Sequence, residues 1–313
     1  MSNEQTSRKV AIIGTGVIGN GWITRFLANG FDVVAFDPAD GAENRARQSI
    51  NNAWESVEQL GLHEDASRDR LTFVSSLEEA VLDADLIQEN VPERTELKQH
   101  VLAEIDQFAK STAIIGSSTS GIKPTELQEK MKYPERFVVA HPFNPVYLLP
   151  LVEIVGGEET AKEFEQQAYT FYESASMKPM IIKKEIEGFV ADRLMEALWR
   201  EALHLVNDGI ATTEEVDKAI TYGAGLRWAQ MGPFMTFHLA GGQEGMRHML
   251  EQFGPALKLP WTKLEAPELT EELQERVIAG CETHAGDRSV AELERQRNEF
   301  LVKLIDLVED YWP

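Results

Sequence analysis

Apolar residues come in short runs through the first part of the chain. Most of these runs are followed by a segment whose apolar positions recur every three or four residues. Lys9 to Ile13 (KVAII) is the first run, short and β-rich. Positions 18, 22, 23, 26 and 27 then trace one face of a helix that Gly30 closes. Asp32 to Phe36, Leu71 to Val74, Leu86 to Glu89, Ala113 to Gly116, Phe137 to Ala140, the run around Glu153 and Met180 to Ile182 read as further strands. Between them, 41–70 reads as one or two surface helices ending near Gly61, with other helices running to about Phe108 and from Thr160 to about Ser176. Strands alternating with helices at this spacing predict a parallel, doubly wound sheet. From Glu187 the pattern changes. Apolar positions 189, 190, 194, 195, 198, 202, 205 and 206 describe one long helix closed by Gly209, and Thr212 with Glu215 forms a capping box for the next. No later segment reads as strand. The expected fold class is α/β, with a doubly wound, mostly parallel sheet in an N-terminal domain (1–187) and an all-helical C-terminal domain (188–313).

The link between the first strand and first helix is GTGVIG, Gly14 to Gly19. Glycines in that position suit a dinucleotide: Gly14 for the tight turn, Gly16 for close approach of the pyrophosphate, and Gly19 for packing helix on strand. Val17 and Ile18 open the helix, where exposed N–H groups hold phosphate. Asp37 ends the second strand, where it can accept hydrogen bonds from ribose hydroxyls and would repel a 2′-phosphate. No arginine follows it directly. The first domain is therefore expected to be Rossmann-type and to bind NAD rather than NADP.

A second informative stretch is His141 to Gly157, HPFNPVYLLPLVEIVGG. A strand delivers His141 to the sheet edge, and Pro142 and Pro145 are expected to stiffen the turn and keep it out of central-strand pairing. Glu153 is a lone acid in an apolar run, costly unless it has a partner. His141, twelve residues earlier, is a natural one, and the two read as an acid–base dyad.

Charge narrows the partners. The chain carries 30 Lys+Arg against 52 Asp+Glu, a formal net charge of −22, which disfavours nucleic acid and anionic membranes. No apolar run approaches the ~18 residues of a membrane span. The polar start MSNEQTSRK lacks the apolar core of a signal peptide, and a single cysteine, Cys281, excludes an internal disulfide. The expected setting is cytoplasmic. The six other histidines show no metal-ligand spacing, so no metal is expected.

GTGVIG, the SSTS of Ser117 to Ser120, HPFNP with Glu153 following, and the EGFVADRL start of the long helix occur in an order that resembles the L-3-hydroxyacyl-CoA dehydrogenase family along nearly the whole chain. The resemblance implies that His141 takes the proton of a substrate 3-hydroxyl as hydride leaves for NAD, with Glu153 orienting the imidazole. It also implies that Ser120 hydrogen-bonds the substrate oxygen, that Asn144 belongs to the same pocket, and that Glu93 and Lys98 contact the nicotinamide-ribose side of the cofactor. It implies a homodimer through the helical domain, where Leu194, Leu198, Leu205, Met235, Leu239, Met249 and Leu250 offer apolar surface. Blander roles stay open: Asn144 as a turn former, Ser120 as a helix cap near Pro124, Lys98 as a solvated charge.

Two departures bear on the substrate. Asp192 stands where the family usually has asparagine, which suits a substrate with a fixed positive charge. Residues 41–70 contain no lysine to meet CoA phosphates. Longer segments, among them NVPERTELK, RWAQMG and GMRHMLEQFGPALKLPWTK, resemble family members that act on a quaternary-ammonium hydroxy acid. Such a cation is held by aromatic faces and a carboxylate. Phe143, Tyr147, Trp199, Trp228, Phe234 and Phe237 are candidates for the cage, and Arg193 or Arg227 for a substrate carboxylate. Other readings are an acyl-CoA or L-gulonate type dehydrogenase of the same fold, or a non-catalytic NAD-binding structural protein.

Overall fold

The structure is a computed structural model that describes residues 8–311 save 230, 242, 244, 266, 267 and 269. Contacts divide it into two compact units, Met1–Asp192 and Arg193–Pro313.

The first unit runs β1 (Lys9–Ile13), α1 (Val17–Ala28), β2 (Asp32–Phe36), α2 (Ala42–Leu60), β3 (Leu71–Phe73), α3 (Leu77–Val81), β4 (Leu86–Glu89), α4 (Thr95–Phe108), β5 (Ile114–Ser117), α5 (Pro124–Leu127), β6 (Phe137–Pro142), β7 (Leu151–Gly156), α6 (Lys162–Glu173) and β8 (Lys178–Ile182). The strands form one sheet in the order β3-β2-β1-β4-β5-β6-β7-β8. Strands β1 to β6 are parallel, β7 runs antiparallel to β6, and β8 is parallel to β7. The chain order reverses between β1 and β4, which is where doubly wound sheets bind their ligands.

Both faces of the sheet are covered, so its strands are nearly continuous apolar runs. Val10 and Ile12 face a cluster with Trp22, Ile23 and Phe26 of α1 and Phe171 and Tyr172 of α6. Ala11 and Ile13 face the other side, against Leu77 of α3 and Leu102 and Ile105 of α4. Deep in this unit, Arg136 and Asp106 form a buried ion pair at 2.8 Å. The Asp106 carboxylate also accepts the amides of Lys132 and Tyr133, which ties the approach to β6 onto α4.

One sequence expectation is corrected here. Pro142 does join central-strand pairing: it is the last residue of β6, opposite Val152, and β6 lies between β5 and β7. A proline removes one ladder donor, which a strand's terminal residue can spare.

The second unit is helical among the described residues. It comprises most of α7 (Ala191–Asn207), then α8 (Thr213–Ala219), α9 (Gly225–Trp228), α10 (Pro233–Ala240), α11 (Met246–Phe253), α12 (Glu271–Ala285) and α13 (Val290–Tyr311). Gly209 has φ +68° after α7, as a helix stop needs. The Thr212/Glu215 capping box of α8 is formed in full. No described helix is long and apolar enough to cross a membrane. The Cys281 side chain lies outside the described set.

Candidate active site

The glycine loop is shaped by close backbone approach. Gly14 has φ +90°, and a Cβ there would come within 2.9 Å of the Asn90 carbonyl oxygen. A Cβ on Gly19 would sit 2.0 Å from the Gly14 carbonyl oxygen, so α1 can lie this near β1 only with glycine at 19. At Gly16 a Cβ would meet nothing within 4 Å, which leaves the mouth of the loop open. Gly16 caps α1 without a side-chain hydrogen bond, so the amides of the first turn are left for an anion. Asp37 is anchored to the loop: Oδ2 accepts from Thr15 N at 2.8 Å and Thr15 Oγ1 at 3.0 Å, and Oδ1 accepts from Ala39 N at 2.9 Å. Oδ1, with a single donor, keeps acceptor capacity for a ribose hydroxyl. Gly14, Gly16, Asp37, Asn90 and Leu97 line a cavity of about 930 Å³, large enough for a nucleotide moiety. Among the described residues its one lining cation is Arg94, an exposed helix-cap residue to which no role was assigned from the sequence.

The dyad is made by strand register. In the antiparallel β6–β7 pair, His141 stands directly opposite Glu153, and directly opposed residues project from the same face. Imidazole Nδ1 lies 3.0 Å from Glu153 Oε2, with His141 4% exposed and Glu153 0%. The second carboxylate oxygen, Oε1, accepts the amides of Val190 and Ala191, each at 3.0 Å. Those amides are presented by two consecutive left-handed residues, Gly188 (φ +70°) and Phe189 (φ +47°). At Phe189 this conformation costs on the order of 1–3 kcal/mol. Its fully buried ring, 5.5 Å from the imidazole centroid, helps offset that. Phe143 flanks the imidazole at 5.7 Å. Asp192, in the first turn of α7, places Oδ2 3.7 Å from His141 Nε2. The imidazole thus has a carboxylate at each nitrogen.

Behind the dyad a polar network ties β6 to α1. Burial pushes the Tyr172 phenol well above its ordinary pKa, so it stays neutral and donates to Gln88 Oε1. Gln88 Nε2 donates to Ser118 Oγ at 2.7 Å and to the Ala140 carbonyl at 3.2 Å, next to His141. Trp22 Nε1 also donates to Ser118 Oγ, at 3.0 Å, and that hydroxyl donates to Asn90 Oδ1 at 2.8 Å.

Of the residues singled out in the sequence, Gly14, Gly16, Val17, Ile18, Gly19 and Asp37 come together at the β1–α1 turn, and His141, Glu153 and Asp192 at the β6–β7 end. Glu93, Lys98 and Ser120 form a third group. Glu93 Oε1 accepts from Ser120 N at 3.1 Å, while Lys98 Nζ lies 3.4 Å from Glu93 Oε2. Lys98 is 1% exposed, which rules out a solvated surface charge, and the cap before α5 is Lys123 rather than Ser120. Asn144 is exposed on the turn after β6. Trp199, Phe234 and Phe237 are at least half exposed within the helical unit. Glu89, Phe189 and the Gln88–Tyr172 network had no sequence signal, because their partners are brought to them by the sheet.

Residues 9–186 match the family model described as 3-hydroxyacyl-CoA dehydrogenase, NAD binding domain, and residues 188–283 match the C-terminal domain of the same family. The chain belongs to the 3-hydroxyacyl-CoA dehydrogenase family. Membership makes it an NAD-dependent oxidoreductase, and the open, uncapped glycine loop with Asp37 fits that cofactor. Among its relatives in the family is the L-carnitine dehydrogenase of Oceanobacillus iheyensis, 81% identical over 98% of this chain and 100% of that protein. The L-carnitine dehydrogenase of Pseudomonas aeruginosa is 56% identical over 96% of this chain and 94% of that protein. A solved structure of similar fold is 5-formyl-3-hydroxy-2-methylpyridine 4-carboxylic acid 5-dehydrogenase, with TM-score 0.81 and 30% identity over 97% of this chain and 99% of that one.

Proposed function

We propose that this chain oxidises the 3-hydroxyl of L-carnitine to 3-dehydrocarnitine. NAD, when bound, supplies the hydride acceptor. His141, held by Glu153 with its proton on Nδ1, offers Nε2 as the base for the substrate hydroxyl, and the Glu153 carboxylate favours the positive charge that then develops on the ring. Ser120 supplies a hydrogen bond to the same substrate oxygen, and Asn144 a polar contact in the same pocket. Glu93 and Lys98 serve the nicotinamide-ribose side of the cofactor. Residues 1–187 would form the cofactor domain and 188–313 the helical domain.

The observation that carries the substrate assignment is the position of Asp192. In carnitine the hydroxyl oxygen and the quaternary nitrogen are three bonds apart, within roughly 4 Å in any torsion. A hydroxyl bonded to His141 Nε2 therefore leaves the trimethylammonium within reach of a carboxylate that is itself 3.7 Å from Nε2. A quaternary cation cannot donate a hydrogen bond, so a carboxylate and aromatic faces are what can hold it.

The arginines of the lysine-free 41–70 stretch are occupied within the protein, which disfavours a CoA ester. Arg47 pairs with Glu43 and Arg70 with Asp32, each at 2.8 Å, Arg45 donates to the Asp40 carbonyl, and Arg68 donates to Asn51 and lies over Trp54.

The test is NADH formation with L-carnitine, 3-hydroxybutyryl-CoA and L-gulonate. Turnover with either of the last two but not with carnitine would overturn the substrate assignment. Asp192→Asn is expected to lower kcat/KM for carnitine about 10- to 100-fold, the equivalent of one partly screened charge pair, with little change in the KM for NAD.

A homodimer through the helical unit belongs to the same proposal, as does a cytoplasmic setting. Leu194, Leu198, Leu239 and Leu250 are about half exposed, whereas only Leu203, Val206, Leu273 and Val302 are buried apolar residues among those described in that unit. An exposed apolar surface on this scale marks an interaction site. Sedimentation at micromolar concentration is expected to return twice the 35.2 kDa chain mass, and a monomer would refute it.

A further inference from the structure

At the carboxyl ends of β4 and β5 lies a charged group that the dyad chemistry does not use. Glu89, the last residue of β4, is 0% exposed, yet both its oxygens are fully engaged. Oε1 accepts from Val91 N at 2.6 Å and Lys98 Nζ at 2.9 Å, and Oε2 accepts from Lys98 Nζ at 3.1 Å and Ser117 Oγ at 2.5 Å. Lys98 Nζ, 2% exposed at its side chain, continues to Glu93 Oε2 at 3.4 Å, and the Glu93 side chain is 47% exposed. Glu93 Oε1 in turn accepts from Thr119 Oγ1 at 2.5 Å and Ser120 N at 3.1 Å. One buried ammonium therefore joins a fully buried carboxylate to one that opens on solvent, and the open one grips the turn that bears Ser120.

We propose that Glu89 is a positioning residue: it holds the Lys98 ammonium back from Glu93, leaving Glu93 free to set the Thr119–Ser120 turn of the active site. A buried ion pair contributes little net stability compared with apolar residues of the same size, so stability is a weak reason for this one. Geometry is a stronger reason. The Lys98 contacts are shorter to Glu89 than to Glu93, and the anion and cation are fixed by Val91 N, Ser117 Oγ and helix α4. Without the Glu89 charge, Glu93 is the carboxylate left within reach of the ammonium. Drawn inward to meet it, Glu93 gives up the Thr119 hydroxyl and the Ser120 amide, and the Ser120 hydroxyl moves with its backbone.

The inference rests on the dehydrogenase reading for its kinetic arm only. Glu89→Gln keeps the shape and removes the charge. Hydrogen exchange of the peptide spanning 117–122 is expected to quicken about tenfold or more, with exchange in β1 unchanged. Turnover of carnitine is expected to fall about 10- to 100-fold in kcat, since displacement of a positioning group by about 1 Å has that effect. Because Glu89 acts through Glu93, Glu93→Gln should cost the Glu89→Gln enzyme less than about threefold, while costing the unmodified enzyme tenfold or more.

Unchanged exchange at 117–122, or fully additive losses in the double variant, would overturn the proposal. Should Glu89→Gln fail to fold, Glu89→Gln/Lys98→Met removes the ammonium together with the carboxylate. With nothing to draw Glu93 inward, exchange at 117–122 in that variant is expected to stay near that of the unmodified protein, and exchange quickened about tenfold there would overturn the proposal. If the unmodified protein does not turn over carnitine, the substrate assignment fails, and the exchange measurement still tests the positioning role.

Discussion

Replacing His141 by alanine is expected to lower kcat for L-carnitine about 10²- to 10⁴-fold, the contribution of a positioned general base, while NAD affinity stays near its original value. The separation of effects follows from the architecture. The imidazole is held at the end of β6 by Glu153, at 3.0 Å, whereas the cofactor loop is built on β1, α1 and Asp37. Truncation should leave the sheet intact, because the polar network that pins this end of β6 grips the Ala140 carbonyl rather than the His141 side chain. Single-turnover rates of NADH formation and NADH titration by fluorescence measure the two effects separately. A variant with near-normal turnover would remove His141 from the chemistry, and with it the reason for the buried acid beside it.

The Glu153→Gln variant is expected to lose about 10³- to 10⁴-fold in kcat although it is nearly isosteric, by the tautomer effect known for a carboxylate-held histidine. Glu153 is an acceptor on both sides. Oε2 faces His141 Nδ1, and Oε1 receives the amides of Val190 and Ala191. A glutamine can satisfy the two amides only by turning its own NH₂ toward the imidazole. That donor would require an unprotonated Nδ1, which moves the ring proton to Nε2 and blocks it as a base. The opposite rotamer keeps the tautomer but sets NH₂ against the part-buried amides of Val190 and Ala191, at up to about 1–3 kcal/mol for each polar group left unsatisfied. Kinetics combined with a thermal melt distinguishes the rotamers: the first loses turnover with little loss of stability, and the second loses stability as well. Retention of full activity and full stability together would show that neither contact carries the assigned role.

Much of the fold was legible in the sequence because its rules are local. The β1–α1 glycines are required by distances within one turn, and the Gly19 contact with the Gly14 carbonyl involves residues five apart in the chain. Strand runs are apolar because both faces of the sheet are covered, and the change to helical spacing after Glu187 marks the last strand. Pro142 is the instructive miss: the residue is poor in a strand interior, but its place at the very end of β6 depends on where the β7 ladder stops.

The candidate site divides in the same way. The sequence by itself determined the dinucleotide loop, the acid at Asp37, and the presence of one histidine and one isolated acid twelve residues apart. Chain chemistry alone can specify these because their meaning depends on near neighbours. Only the tertiary structure decided that β7 returns antiparallel in the register that sets His141 opposite Glu153. It alone brought the amides that follow Phe189 to the other side of that carboxylate. It also placed Asp192 at the open nitrogen of the ring and Glu89 beneath Lys98. The physical reason is that a buried charge is tolerable only with its partners around it, and those partners come from β4, β5, α4 and the turn into α7, segments that meet only once the sheet has formed.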